Sequence, residues 1–296
     1  MTTVDHEDGL DVGIVAYRCR DLLAACLRSL GENPPARPLH IVVVDNDSRD
    51  GTAELVRATR DVALIEPHRN LGFAAATNLA IRSGRARYFL ALNPDTRVQA
   101  GTLDHLLDLM DEHPEIGICG CRLERADGSL DHAAKRAFPT PLGALAHFTR
   151  VGRSNGAPAA LAQYRAPGVE RGPVDAVSGA FMLIRRRALD EVGRFDEGYW
   201  LYMEDLDLCY RFAQAGWVTW YEPSVAVTHV KGGTSGKNRT LRVNGAFHYG
   251  MYRFYRLHYA ESRSPVFNTA VYGAIAAKLV GSAARSAVNR HLRRTG

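Results

Sequence analysis

The chain has 296 residues, 46% apolar and 23% charged, the balance of a soluble globular protein with room for one large domain or two small ones. Met1 to Asp8 is polar and acidic and reads as no secretory signal. The longest apolar run near the end, Val266 to Leu279, contains Asn268 and Lys278 and is shorter than the roughly 20 residues of a bilayer span, so no transmembrane helix is expected. The net charge of +5 is uneven: from Lys231 onward twelve Lys and Arg face one acid, Glu261, a local +11 that leaves −6 for the rest.

Taken in chain order, Leu10 to Ala16 is a buried strand, and Asp21 to Leu30 carries Leu22, Cys26, Leu27 and Leu30 at helical spacing. Pro34, Pro35 and Pro38 end that unit, and Leu39 to Val44 is a second strand, β-branched enough to be buried on both faces of a parallel sheet. A helix from Thr52, a strand Val62–Ile65, a helix Phe73–Ser83 and a strand Tyr88–Leu92 follow. This alternation predicts an α/β doubly wound fold, whose ligands sit at the carboxyl ends of the strands. Further on come a helix Thr102–Glu112, strands Ile116–Cys119 and Ala180–Arg185, and a Pro/Gly/Ala-rich loop from Phe138 to Gly172. A helix Glu204–Ala215 stops at Gly216, strands at Trp217–Tyr221 and Val225–His229 follow, and Gly232, Gly233 and Gly236 mark a loop. From about Leu241 to Arg294 the chain reads as helical, with aromatic and basic residues mixed.

Several polar groups fall where such a fold gathers chemistry. Asp45 follows the second strand and can accept the N3–H of uracil or thymine, while Asp47, Ser48 and Asp50 suit turn and cap roles. Asn70-Leu71-Gly72 enters a helix carrying Asn78. Gly72 permits close backbone approach, and the helix start suits a diphosphate. Asn93-Pro94-Asp95 offers hard oxygen ligands on a rigid turn. Glu204 and Asp205 open a helix. Asp205 shares a face with Leu208, Cys209 and Phe212 and suits a general base, Glu204 can orient an acceptor hydroxyl, and Asp207 is the i, i+4 partner of Arg211. Trp200 and Tyr202 supply aromatic faces for a sugar ring, and His229 at a strand end can ligate a metal or a phosphate oxygen. Carboxylates at both places point to group transfer from a nucleotide diphosphate to an alcohol. Five cysteines without framework spacing fit a reducing cytoplasm. The Cys119/Cys121 pair has no second Cys/His pair nearby to complete a zinc site, so all five read as small buried apolar residues.

In sequence order the chain shows V-A-Y-R (Val15–Arg18), V-V-D-N-D-S-R-D-G-T (Val43–Thr52), N-L-G-F (Asn70–Phe73) and L-N-P-D (Leu92–Asp95). It then shows S-G-A-F-M-L-I-R-R (Ser178–Arg186), F-D-E-G-Y-W-L-Y-M-E-D-L-D-L (Phe195–Leu208) and His229 with its glycine loop. From about Val12 to Ser235 this set resembles the family 2 inverting glycosyltransferases of GT-A fold, and within them a bacterial rhamnosyltransferase-like branch. The resemblance implies a Rossmann-like doubly wound mixed sheet over residues 1–236, with a basic helical extension over 237–296 facing membrane or acceptor. It implies Asp205 as catalytic base and Asp95 and His229 as ligands of Mg²⁺ or Mn²⁺. It implies a donor-nucleotide site formed by Ala16, Tyr17, Arg18, Asp45, Asn70, Gly72, Asn78, Asn93 and Asp95. Acceptor contacts are implied for Ser178, Gly179, Trp200, Tyr202 and Glu204. Where the family usually reads V-T-Y-N, this chain has Ala16 and Arg18, which removes two polar contacts and offers a cation instead.

The expected reaction moves a sugar, L-rhamnose from dTDP-rhamnose by resemblance, to a glycan or polyprenyl-diphosphate-linked acceptor in cell-envelope polysaccharide synthesis. A UDP-sugar donor is the alternative, since uracil and thymine present the same N3–H. The basic tail fits an anionic membrane surface, placing the protein in the cytoplasm, peripheral on the inner membrane face. A homodimer is compatible with the sequence. A dinucleotide-dependent oxidoreductase needs G-x-G-x-x-G after the first strand, where the chain reads AYRCRDLLAA. A non-catalytic nucleotide-sugar or nucleic-acid binding module leaves the carboxylates unexplained. The tail has no orderly DNA-binding motif, so no nucleic-acid partner is expected.

Overall fold

A computed structural model describes residues 7–139, 169–230 and 240–292, with side chains described as far as residue 284. The glycine loop with Gly232, Gly233 and Gly236 and most of the Phe138–Gly172 loop lie outside the described residues. Among the described residues, the strands are β1 (Glu7–Ala16), β2 (Leu39–Asp45), β3 (Val62–Ile65), β4 (Ala86–Leu92), β5 (Thr96–Val98), β6 (Ile116–Glu124), β7 (Lys135–Arg136), β8 (Gly172–Pro173), β9 (Ala176–Val177), β10 (Phe181–Arg185) and β11 (Val218–His229). The helices are α1 (Arg20–Glu32), α2 (Thr52–Ala58), α3 (Phe73–Ser83), α4 (Thr102–Glu112), α5 (Arg186–Val192), α6 (Glu204–Gln214), α7 (Leu241–His258) and α8 (Pro265–Leu292).

One mixed sheet runs in the order β3-β2-β1-β4-β10-β6-β11-β5, with β8 against β11, while β7 and β9 form a small separate ribbon. The β3-β2-β1-β4 half is parallel, as the strand–helix alternation requires. The reversal comes at β10, antiparallel to both β4 and β6. Side chains of β1, β2 and β4 are buried on both faces because helices cover both. Leu23, Cys26, Leu27 and Leu30 of α1 and Leu103, Leu106, Leu107 and Met110 of α4 pack one face. Ala74, Ala76 and Ala80 of α3 and Leu208, Cys209 and Phe212 of α6 pack the other. Each fully buried Leu or Phe contributes on the order of 1.5–3 kcal/mol relative to exposure. The five cysteines are free and buried.

Two features differ from the sequence reading. The expected strands 217–221 and 225–229 are one strand, β11. The Glu222–Val225 segment is a register shift within it, because β6 continues on the other side and pairs again from Arg122↔Ala226. The apolar stretch does not stop at Leu279. Residues 265–284 lie in one continuous helix, long and apolar enough by length and composition to cross a membrane, and 11% of that stretch is buried within the protein.

The boundary expected at residue 237 lies outside the described residues, and the helices beyond it pack as follows. Phe254 of α7 belongs to the α3/α6-side core, and His258 Nε2 lies 2.7 Å from Asp207 Oδ1 of α6. The helix α8 instead packs on α7 through a small cluster of Tyr255, Val271 and Ile275.

Candidate active site

Strand order brings the chemistry to one end of the sheet. Ala16 ends β1 opposite Asp45 at the end of β2, and Ile14 pairs with Leu92 at the end of β4. Phe181, the first residue of antiparallel β10, pairs with that same Leu92. The Asn93-Pro94-Asp95 turn and the Ser178-Gly179-Ala180 turn are therefore neighbours, and the Asn93 N–H donates to the Ala180 carbonyl at 2.9 Å.

Asp95 and His229 meet through a strand pairing distant in sequence. After the turn the chain forms β5, which lies antiparallel to β11 with Thr96 opposite His229. His229 Nε2 is 3.4 Å from Asp95 Oδ1, and that buried oxygen has no hydrogen-bond partner. On the other side, His229 Nδ1 lies 3.1 Å from Asp131 Oδ2, a fully buried carboxylate. Burial alone lowers the His229 pKa, but the carboxylates of Asp131 and Asp95 more than reverse this and carry it to about 9. An orphaned hard oxygen facing an imidazole nitrogen, with the ring held by a carboxylate behind, is a donor set that fits a divalent cation. Among the described residues no three or more His, Cys, Asp and Glu side chains gather to hold a metal. The remaining ligands would come from diphosphate and water. Asp131 was not singled out in the sequence, where it sits in a D-G-S-L-D turn segment that reads as loop chemistry.

Asp205 stands at the mouth of α6. Its Oδ2 accepts from the Gly179 N–H at 3.1 Å and from Arg136 Nη2 at 2.5 Å, and its Oδ1 accepts from the Leu206 N–H at 2.8 Å. The Ser178–Ala180 turn thus bonds to Asp205 on one side and Asn93 on the other. Ser178 itself accepts the Ala180 N–H on its hydroxyl at 3.2 Å. Glu204 is buried and its Oε2 has no partner. Burial first, then the Asp205 charge, push its carboxyl up to about 8. Asp207 is the helix ion pair expected from spacing, 2.8 Å from Arg211 Nε. Burial opposes its charge, yet His258 and Arg211 hold its pKa below the usual carboxylate value.

The segment before α6 is strained and braced. Tyr202 and Met203 both adopt left-handed backbone angles, φ +71° and +74°, which cost non-glycine residues on the order of 1–3 kcal/mol each. Bracing comes from α7: Arg253 Nε and Nη2 bond to Asp196 at 2.8 and 3.0 Å, and the Phe247 ring meets Tyr202 edge-on at 5.8 Å. The Arg242 guanidinium sits 4.0 Å over the Trp200 ring, so one Trp200 face is already covered.

Four residues expected at the donor nucleotide also have partners within the protein. Gly72 is required, but by Trp200: a Cβ there would lie 2.1 Å from the Trp200 carbonyl oxygen, to which the Phe73 N–H donates at 2.8 Å. Asn78 commits its amide to Phe195 in both directions and to Glu197, clamping the loop before Tyr199. Ala16 is fully buried, and its carbonyl accepts the Asn46 N–H. Asn70 Oδ1 accepts the Gly72 N–H at 2.9 Å and serves the turn. Asp45 is buried at the strand end, with one oxygen accepting the Ser48 N–H at 3.0 Å. Beside it Arg18 is exposed, its guanidinium 5.2 Å from the centre of the half-buried Tyr17 ring. Asn46, also passed over, ties Asp45's loop to the Gly72 loop: its amide donates to the Gly72 carbonyl and accepts the Leu71 N–H, both at 2.9 Å.

Comparison with known proteins gives this arrangement a lineage. Residues 11–193 match the profile of Glycosyl transferase family 2. An N-acetylglucosaminyl-diphospho-decaprenol L-rhamnosyltransferase of Mycobacterium tuberculosis is 33% identical over 261 residues, 83% of this chain and 84% of that protein. Over 56 residues, 19% of this chain and 21% of the relative, the identity to Rhamnosyltransferase WbbL of Escherichia coli is 43%. Among solved structures, the mannosyltransferase PcManGT from Pyrobaculum calidifontis, in complex with GDP-Man and Mn²⁺, superposes with a TM-score of 0.58 at 18% identity, covering 99% of this chain and 83% of the other. S. aureus TarS in complex with UDP-GlcNAc gives 0.55 at 15% identity, covering 83% and 66%. The nine-stranded mixed sheet is a GT-A fold, and the chain belongs to glycosyl transferase family 2.

Proposed function

We propose that this protein is a metal-dependent inverting rhamnosyltransferase. In this reading it moves L-rhamnose from dTDP-rhamnose to a hydroxyl of a polyprenyl-diphosphate-linked sugar in cell-envelope polysaccharide synthesis. The observation that carries the reading is the Ser178–Ala180 turn, hydrogen-bonded at one end to the Asn93–Asp95 turn and at the other to Asp205. It supports one site with a cation-fitting pair on the donor side and a carboxylate on the acceptor side. The choice of rhamnose and of a lipid-linked acceptor is supported by the Mycobacterium tuberculosis relative, an N-acetylglucosaminyl-diphospho-decaprenol L-rhamnosyltransferase.

Asp95 and His229 would hold Mg²⁺ or Mn²⁺, and Asp131 would fix the His229 ring. A divalent ion there supplies charge neutralisation for a departing nucleoside diphosphate. Asp45 would accept the N3–H of the pyrimidine, and Arg18 lies exposed at the same strand end to meet a phosphate. Asp205 takes the proton from the acceptor hydroxyl as that oxygen's lone pair bonds to the anomeric carbon. The bond to the diphosphate oxygen breaks with its electron pair leaving on the nucleotide, and attack from the opposite face inverts the centre. Glu204, whose Oε2 has no hydrogen-bond partner, would orient the acceptor hydroxyl.

The tail supports a membrane-facing acceptor. Val266, Ala270, Gly273, Ala277 and Val280 form an exposed apolar stripe on α8, in the segment where basic residues exceed acids by eleven. This suits a cytoplasmic enzyme lying on an anionic inner membrane face. Binding and transfer measured across dTDP- and UDP-sugars, with Mn²⁺ and then EDTA, test the donor. Metal-dependent transfer confined to dTDP-rhamnose is expected, and preference for a UDP-sugar refutes that assignment. Flotation with anionic liposomes tests the surface, and failure to float refutes it.

A further inference from the structure

We infer that Arg136 is a positioning residue for the transfer step, clamping the Asp205 carboxylate in the orientation and the ionised form in which it accepts the hydroxyl proton. The inference rests on the proposed role of Asp205 as base.

The geometry is specific. Arg136 arrives on the β7–β9 ribbon, where Arg136 pairs with Ala176 and its Nη2 also donates to the Val177 carbonyl at 2.8 Å. That second bond fixes the guanidinium to the strand leading into the Ser178–Ala180 turn, which supplies the other donor to Asp205 Oδ2. Three donors from three elements therefore hold one carboxylate: Arg136 from β7, the Gly179 N–H, and the Leu206 N–H from α6. The side chains of Arg136 and Asp205 are 13% and 12% exposed, so their interaction is weakly screened.

On α6, Asp205 is flanked by Glu204, by Asp207 and by the buried thiol of Cys209. Asp207 is itself paired with Arg211 and His258. From the Ser178–Ala180 turn comes a backbone N–H, and from β7 comes Arg136, a cation in direct contact with the Asp205 carboxylate.

The test is the pH profile of kcat/KM for the full-length wild type, Arg136→Gln and Arg136→Lys, using dTDP-rhamnose and a synthetic polyprenyl-diphosphate N-acetylglucosamine, with Asp205→Asn as reference. Removing the charge is expected to move the acid limb of Arg136→Gln upward by about one to three pH units. Its activity then recovers towards the wild type at alkaline pH, and Arg136→Lys brings the limb most of the way back. A merely structural role lowers the rate equally at every pH, and an unmoved limb in Arg136→Gln with Asp205→Asn inactive overturns the role of Arg136 alone. Transfer by Asp205→Asn at the wild-type rate overturns the base assignment and this inference with it. Should Arg136→Gln fail to fold, Arg136→Met, which also removes the charge, decides. A fall in kcat with unchanged donor KM and unchanged thermal midpoint supports the clamp, and an unchanged kcat overturns it.

Discussion

Replacing Gly72 by alanine tests the coupling of the Asn70–Gly72 loop to the Trp200 segment before α6. Its backbone angles, φ +84° and ψ −176°, lie in a region that side-chain-bearing residues essentially do not occupy, at a cost on the order of 1–3 kcal/mol. The added Cβ would also stand 2.1 Å from the Trp200 carbonyl oxygen and 2.8 Å from its carbon, backbone atoms that cannot rotate aside. Relieving that clash breaks the Phe73 N–H bond to Trp200, worth about 0.5–1.5 kcal/mol. We expect a loss of about 2–4 kcal/mol in urea-induced unfolding. Transfer should fall further than stability alone requires, since Trp200 lies just before Glu204 and Asp205 in the strained turn. Gly101→Ala is the control: φ is +72°, but nothing lies within 4 Å of its added Cβ, so it carries only the backbone cost. Equal stability losses in the two variants, or normal transfer by Gly72→Ala, would refute the coupling.

Asp95→Ala should abolish the Mn²⁺-dependent part of donor binding in calorimetric titration while leaving a folded protein, and undiminished metal dependence would count against the Asp95–His229 site. Asp131→Asn leaves both proposed ligands in place, yet should weaken Mn²⁺ affinity by about 10–100-fold because the His229 ring loses its orienting carboxylate. The metal-free protein should be pH-sensitive through His229. Its folded pKa is raised from 6.5 to about 9, so its stabilising contribution is full below about pH 6.5 and is lost as pH rises through about 9. Thermal midpoints in EDTA across that window check the sign. Mn²⁺ must displace the same proton, so binding should release a proton at neutral pH, visible as a buffer-dependent heat.

Much of the scaffold was readable because its signals are local. The run LHIVVV leaves a parallel strand little alternative, and the helix at Phe73–Ser83 begins and ends where the sequence reading put it. The site was readable where position along the chain equals position in the fold, as for Asp45 at a strand end. It was not readable where a polar group's partner lies far away in sequence. Asn78 is expected in the donor-nucleotide site, and nothing in its local sequence shows that its amide bonds 117 residues away to Phe195. Gly72 reads as an opening until Trp200 fills it. Asp131 and Arg136 carry no local pattern at all, since each acquires its role from a residue supplied later, His229 and Asp205. The same holds for α7, whose Phe254 joins the α3/α6-side core and whose His258 meets Asp207 of α6, partners that its own sequence does not announce.

The pairing of Thr96 with His229 has a consequence for how the enzyme comes into being. The two halves of the cation-fitting pair are made 134 residues apart, and the later one ends the last strand of the sheet. Contacts of such separation form late in folding, after the loop-closure entropy has been met. A nascent chain on the ribosome can thus complete the β1–β4 half well before His229 is made. In the proposed mechanism, metal binding would then wait until Asp205 and helix α6 have already been synthesised.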